Sequence, residues 1–238
     1  MSALYLFRHA QAGPRQRYDT LSRLGHRQAG ELGKHLAAGR VRFRAVFSGA
    51  LERHKLTAEA VMREYLATGL DFPEVVIDPL WNEFDLSAVY SALAPSLARE
   101  DARFEREYSK MVRLMEDTED DVHRNHNYCD IAVVRAWVQN RLAYDGESWE
   151  GFRNRVLSRL EGLAGYDSGE KIAVFTSATP IGVWLGHVLG LREEDVWRLA
   201  GATYNTGMTT FRISREDLRL FTFNSLPHLP DQDLWSFR

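Results

Sequence analysis

Residues Leu4 to Gln11 read LYLFRHAQ: four apolar residues, Leu4 to Phe7, stop abruptly at Arg8 and His9, with the small pair Ala12-Gly13 close behind. An unbroken aliphatic and aromatic run of this length, ended by polar residues, predicts a strand buried on both faces. Arg8 and His9 then stand at its carboxyl end. In open α/β sheets ligands bind at that edge, where the loops diverge and leave a crevice. A guanidinium beside an imidazole suits an anionic substrate, phosphate above all, with His9 as nucleophile or base.

Outward from this strand the chain alternates. Arg15, Gln16 and Arg17 follow in a polar loop near His9, placed to help hold an anion. From Leu21, the residues Leu24, Gln28, Leu32 and Leu36 recur at helical spacing, Thr20 or Ser22 can cap the start, and Gly39 can stop the helix. Arg44–Ser48 reads as a second strand, Leu51–Leu66 as a helix and Val75–Ile77 as a third strand. This rhythm argues for a parallel sheet with crossover helices. It breaks over about 86–142, a charged, helix-rich stretch with one short strand expected at Ile131–Val134 and a helix at Arg99–Met115, so a helical insertion over the sheet edge is expected. Ser148–Leu163 (helix), Lys171–Ser177 (strand) and Pro180–Leu189 (helix) resume the rhythm, and Thr209–Ile213 with Leu218–Phe223 reads as an edge hairpin.

Composition sets outer limits. The 238 residues are 45% hydrophobic and 26% charged with net charge -3, which suits one α/β domain with an insertion and points to neither nucleic acid nor membrane as partner. The single cysteine, Cys129, forms no internal disulfide and fits a reducing compartment. No stretch approaches the roughly 18–20 apolar residues of a membrane span, so a cytoplasmic location is expected.

Three junctions carry the chemistry: Arg8-His9 after strand one, Ser48-Gly49-Ala50-Leu51-Glu52-Arg53 with Thr57-Ala58 after strand two, and Leu80-Trp81-Asn82-Glu83 after strand three. Strand ends in a parallel sheet share one edge, so Arg8, His9, Arg53 and Glu83 can converge. In this order and spacing they resemble the histidine phosphatase superfamily, the phosphoglycerate-mutase-like fold. Arg8-His9-Ala10 stands for the family's Arg-His-Gly, Ser48 to Ala58 for its Ser-x-Leu-x-Arg-x-x-x-Thr-Ala, and Glu83 for the acid after the third strand. Asn205-Thr206 and the FNSLPHL segment ending at Leu229 resemble its closing segments. The resemblance implies a three-layer α/β/α fold with a mostly parallel central sheet, spanning 1–238 as a single domain.

It also implies roles. His9, neutral, becomes phosphohistidine; Arg8 and Arg53 clamp the phosphoryl oxygens; Glu83 protonates the leaving oxygen and then takes a proton from water. Gln11, Ser177 and Ala178 join the phosphate-binding set. Asp85 is a weaker substitute for the acid. Neither metal nor other cofactor is required, because the two arginines supply positive charge.

One departure stands out. Where the family carries a second histidine in a Ser-His-Gly-Gly type segment, this chain has Thr176-Ser177-Ala178-Thr179, which offers hydroxyls and N–H groups at a helix start but no imidazole. Losing one donor to the transition state costs on the order of 3 to 4 kcal/mol. The cluster His123, His126 and Cys129 invites a zinc reading or a histidine reaching over the site, but three-residue spacing on a helix spreads these side chains and solvated insertion residues are the simpler reading. His54 is expected to point to the opposite side of its helix turn. Tyr90, Phe104, Tyr108 and Trp137 are expected to form the insertion's own core rather than a substrate wall.

The expected function is metal-independent hydrolysis of a small phosphorylated metabolite. A phosphomutase, which must exclude water and recapture its intermediate, and a phospho-ligand binder without turnover are the alternatives. A homodimer is left open.

Overall fold

The computed structural model describes residues 1–14, 18–117 and 127–237. They form two compact units, one built from 1–13, 18–83 and 155–237, the other chiefly from 84–117 and 127–154. The first unit holds a six-stranded sheet in the order β3-β2-β4-β1-β5-β6, where β1 is Ser2–Arg8, β2 Ala45–Ser48, β3 Val75–Ile77, β4 Lys171–Thr176, β5 Met208–Ile213 and β6 Leu218–Ser225. Pairs β1–β4, β2–β4 and β2–β3 are parallel. Pairs β1–β5 and β5–β6 are antiparallel, and β5–β6 is the expected edge hairpin. Helices cover the sheet in the three-layer arrangement.

The apolar run of β1 is central because both its faces have partners. Leu4, Leu6 and Phe7 are fully buried. Phe7 stacks on Phe175 of β4 at 5.1 Å, in a core shared with Leu32 and Leu36 of α1 (Arg23–Ala38) and Val61 and Tyr65 of α2 (Glu52–Ala67). The buried residues of α1, Gly25, Gln28, Ala29, Leu32, Gly33, Leu36 and Ala37, fall on one helical stripe. Ser22 caps α1 by accepting the Gly25 N–H, and Gly39 closes it. Gly25 is required by contact: a Cβ there would lie 2.1 Å from the Gln11 carbonyl oxygen.

Register places the site. Arg8 lies beside Thr176, and Ser48 lies beside both Phe175 and Ile77. The carboxyl ends of four parallel strands therefore share one edge, and His9, Gly49, Asp78 and Ser177 are the next residues along it. Helix α2 starts on that edge, as does α8 (Ala178–Leu189), whose Pro180 sits in the first turn. A further helix, α9 (Glu193–Gly201), packs on α8.

The second unit is helical: α3 (Leu86–Glu100), α4 (Ala102–Asp117), α5 (Asn127–Val138) and the start of α6 (Trp149–Leu157). It runs past residue 142. The strand expected at Ile131–Val134 is instead part of α5, whose buried Cys129, Val133, Ala136 and Trp137 follow helical spacing; a four-residue apolar run alone does not separate the two periods. The helix expected at Arg99–Met115 is divided at Asp101, whose carboxylate accepts the Arg103 and Phe104 N–H groups and starts α4. Ser148–Leu163 is likewise divided, into α6 and the short α7 (Leu160–Ala164). Phe104 stacks on Tyr108 at 5.6 Å, and Trp137 packs among Phe84, Trp149 and Phe152, as an internal core. Among the described residues, no helix is long and apolar enough to cross a membrane.

Candidate active site

The loop after β1 is pinned before any ligand arrives. The His9 N–H bonds the Thr176 carbonyl at 2.8 Å, its carbonyl accepts from Asn205 Nδ2 at 3.0 Å, and the Ala10 N–H bonds Thr57 Oγ1 at 3.0 Å. Thr57 in turn donates to the Arg53 carbonyl, so the first turn of α2 and the loop hold each other. The His9 side chain is 2% exposed. Its Nδ1 lies 2.7 Å from the Ala10 carbonyl, an acceptor only, so Nδ1 carries the proton and Nε2 keeps its lone pair. Burial, followed by the charges of Arg53 and Arg8 and by His54, holds this imidazole well below the usual histidine range, hence neutral.

Arg53, 7% exposed, extends from α2 so that its Nε–H meets His9 Nε2 at 3.3 Å. Its Nη1 pairs with Asp19 at 2.8 Å, and it lies 5.3 Å from the Tyr18 ring centroid. Asp19 Oδ2 also accepts the Glu52 N–H at 3.0 Å, serving the open start of α2, where Leu51 has no side chain to do so. Nothing in the sequence marked Asp19; it sits in a polar loop without a motif.

Arg8 is buried, and burial pulls its guanidinium down to about 10, still cationic at neutral pH. The Thr203 carbonyl accepts from one terminal nitrogen and the Phe237 carbonyl from the other, the latter at 2.8 Å, while Nε has no hydrogen-bond partner among the described residues. Glu83 accepts the Thr179 N–H of α8 at 3.2 Å and acts electrostatically on Arg8. Its neighbour Asn82 accepts the Ala50 N–H at 2.6 Å, tying the loop after β3 to the approach to α2.

Two further expected residues have structural occupations. Gln11 receives the Ser22 hydroxyl on its side chain at 2.7 Å and gives its N–H to Gln28 at 2.8 Å. Asp85 is exposed and caps α3 through the Ala88 N–H. Ser177 and Ala178 stand at the start of α8 as expected, Ser177 only 1% exposed. Arg15, Gln16, Arg17, His123 and His126 lie outside the described residues; Cys129 is a buried free thiol, and no metal-binding group of three His, Cys, Asp or Glu occurs among the described residues.

His54 overturns the sequence expectation. It is fully buried, its ring centroid lies 5.6 Å from that of His9, and its Nε2 is 2.7 Å from Ser177 Oγ. Consecutive helix positions differ by about 100°, but side chains lean toward the helix start. In a first turn that lean carries Arg53 and His54 alike past the helix end and into the sheet edge. Gly49 makes room: a Cβ there would lie 2.2 Å from His54 Nδ1.

The site is therefore a neutral imidazole with one unprotonated nitrogen, flanked by two buried guanidiniums, a carboxylate and a second neutral imidazole bonded to a serine. A search of curated proteins finds no match. Among solved structures the chain is similar to Bacillus stearothermophilus YhfR, with 18% identity over 96% of this chain and 99% of that one and a TM-score of 0.65. It is similar to a phosphoglycerate mutase from Bacillus anthracis (16%, 95% and 94%, 0.61) and to a mycobacterial glucosyl-3-phosphoglycerate phosphatase solved with inorganic phosphate (19%, 95% and 99%, 0.57). These likenesses establish the fold. The family description "Histidine phosphatase superfamily (branch 1)" matches residues 4–226, nearly the whole chain, and together with the assembled edge it makes this protein a member of that superfamily.

Proposed function

We propose that the protein hydrolyses small phosphomonoesters through a covalent phosphohistidine on His9. The observation that carries this reading is the state of the His9 ring: Nδ1–H is committed to the Ala10 carbonyl, and Nε2 is unprotonated and buried, its lone pair accepting from the Arg53 Nε–H at 3.3 Å. Nε2 attacks phosphorus, the bond to the leaving oxygen breaks, and Glu83 in its protonated form delivers a proton to that oxygen. Water then attacks the phosphohistidine, the P–N bond breaks, the Glu83 carboxylate takes the water proton, and inorganic phosphate leaves.

Arg53 gives up its contact with Nε2 as phosphorus arrives and turns its N–H groups to the equatorial oxygens, while the Arg8 Nε–H supplies a second donor. Hydrolysis is preferred to mutase chemistry because it needs only water at the intermediate. The test is turnover of a chromogenic phosphate ester with and without chelator, beside His9→Ala, together with acid quench of the working enzyme. Activity insensitive to chelator, an acid-labile and base-stable phosphoenzyme, and loss of both in His9→Ala are the expected results. An inert protein that phosphate still protects against heat defeats the reading in favour of a binder.

A further inference from the structure

The segment after β4 lacks the family's second imidazole, yet a second imidazole is present. We propose that His54 takes its place from α2, acting through Ser177, whose hydroxyl then makes the contact to the phosphoryl group. This rests on the phosphoryl-transfer reading above.

Three observations carry it. First, His54 Nε2 and Ser177 Oγ are 2.7 Å apart and both residues are buried, so they form one unit linking the start of α2 to the start of α8. Second, His54 Nδ1 is buried without a hydrogen-bond partner among the described residues and faces Gly49. A buried lone pair without a partner is tolerated better than a buried N–H without an acceptor, so the proton sits on Nε2 and is donated to Ser177 Oγ. Third, Ser177 precedes the twelve-residue α8 at the capping position, but its side chain makes no cap hydrogen bond. With its lone pair engaged by His54, the serine O–H is released to donate beside N–H groups that already favour an anion.

The result is a relay, His54 Nε2–H to Ser177 Oγ–H to phosphoryl oxygen, in place of one direct imidazole contact. The near approach of the two rings, 5.6 Å between centroids, puts the relay next to the nucleophile. Burial and the adjacent Arg53 charge keep His54 neutral before substrate binds, as the assigned tautomer requires. His54 is thus a positioning residue, and Ser177 is the group that touches substrate.

The test compares His54→Ala, Ser177→Ala, the double alanine variant and the transplant His54→Ala/Ser177→His, all in the full chain. Each alanine variant is expected to lower kcat about 100- to 1,000-fold, with KM changed far less. The double variant is expected to fall no further than the singles, because the two residues act as one unit. The transplant, returning an imidazole to position 177, is expected to recover at least about tenfold over His54→Ala, a rescue that a packing role does not produce. A folded His54→Ala within about threefold of wild-type kcat, losses that multiply, or a transplant no better than His54→Ala overturns the proposal. Should His54→Ala fail to fold, Ser177→Ala, which leaves the imidazole in place, decides the kinetic arm.

Vanadate binding by calorimetry separates this inference from the function on which it rests. If the wild type turns nothing over, the hydrolase reading fails. A tenfold or greater loss of vanadate affinity in Ser177→Ala then still supports the relay, and unchanged affinity overturns it.

Discussion

Gly49→Ala tests the architecture of the site with a single methyl group. The Cβ would lie 2.2 Å from His54 Nδ1, 2.9 Å from Cε1 and 3.0 Å from Asn82 Oδ1. Ordinary contact begins near 3.4 Å, so the ring must give way by about 1.2 Å. The backbone cannot yield instead, because the Gly49 N–H is bonded to Phe175 at 3.0 Å on the strand edge. Nor can the ring retreat along its own axis, since Ser177 Oγ already sits 2.7 Å from Nε2. It must swing out and break that bond. Overpacking of this kind costs about 1–3 kcal/mol. Gly49 has no positive φ, so alanine regains roughly 0.4–1 kcal/mol through the unfolded chain. The expected net loss is about 0–2.6 kcal/mol by urea titration, accompanied by a fall in kcat of about 100-fold, as a displacement near 1 Å produces in an active site. Unchanged stability with kcat within about threefold of wild type would refute the packing argument.

Asp19→Ala releases Arg53 and leaves the Glu52 N–H unserved at the start of α2; a stability loss of about 0.5–2 kcal/mol and a rise in KM for a phosphate ester are expected, measured by urea titration and initial rates. Glu83→Gln removes the proposed proton donor, so alkyl phosphates, whose leaving oxygen needs that proton, are expected to slow by about 100-fold or more while an aryl ester with a good leaving group slows less; equal losses on both would remove Glu83 from the acid role. His228 is buried, donates to Thr206 Oγ1, and is pushed by burial down to about 3. A histidine whose folded value is depressed is neutral in both states above about 6.5 and costs stability as pH falls below that, so His228 alone removes roughly 2 kcal/mol by pH 5. His9 and His54, lowered in the same sense, add to the loss between the unfolded histidine value and their own. Urea titrations from pH 8 to 5 are expected to show this decline, and a flat profile would contradict it.

The sheet edge and its main residues were readable from the chain because they depend on local signals. An apolar run ending in Arg8-His9 can hardly be anything but a central strand with its functional end outward, and strand–helix alternation up to Ile77 requires parallel pairing. Arg53 could be placed from its position just inside a helix that starts on the same edge. Short apolar runs were less informative: Ile131–Val134 carries equal evidence for strand and helix until its neighbours Cys129 and Trp137 are seen buried on one face.

What sequence alone determined was which residue types arrive at the carboxyl edge of the sheet, since alternation of strand and helix implies parallel strands whose carboxyl ends share one edge; the order of the strands came from the tertiary structure. What only tertiary structure decided was which of them meet. Asp19 reaches Arg53 across 34 positions, and His54 reaches Ser177 across 123. Neither pair leaves a trace in spacing, because the first contact depends on where the loop before α1 meets the start of α2, and the second on where the starts of α2 and α8 come to rest against the same edge. The absence of a histidine at 177 was legible in one dimension; the imidazole that stands beside it was legible only in three.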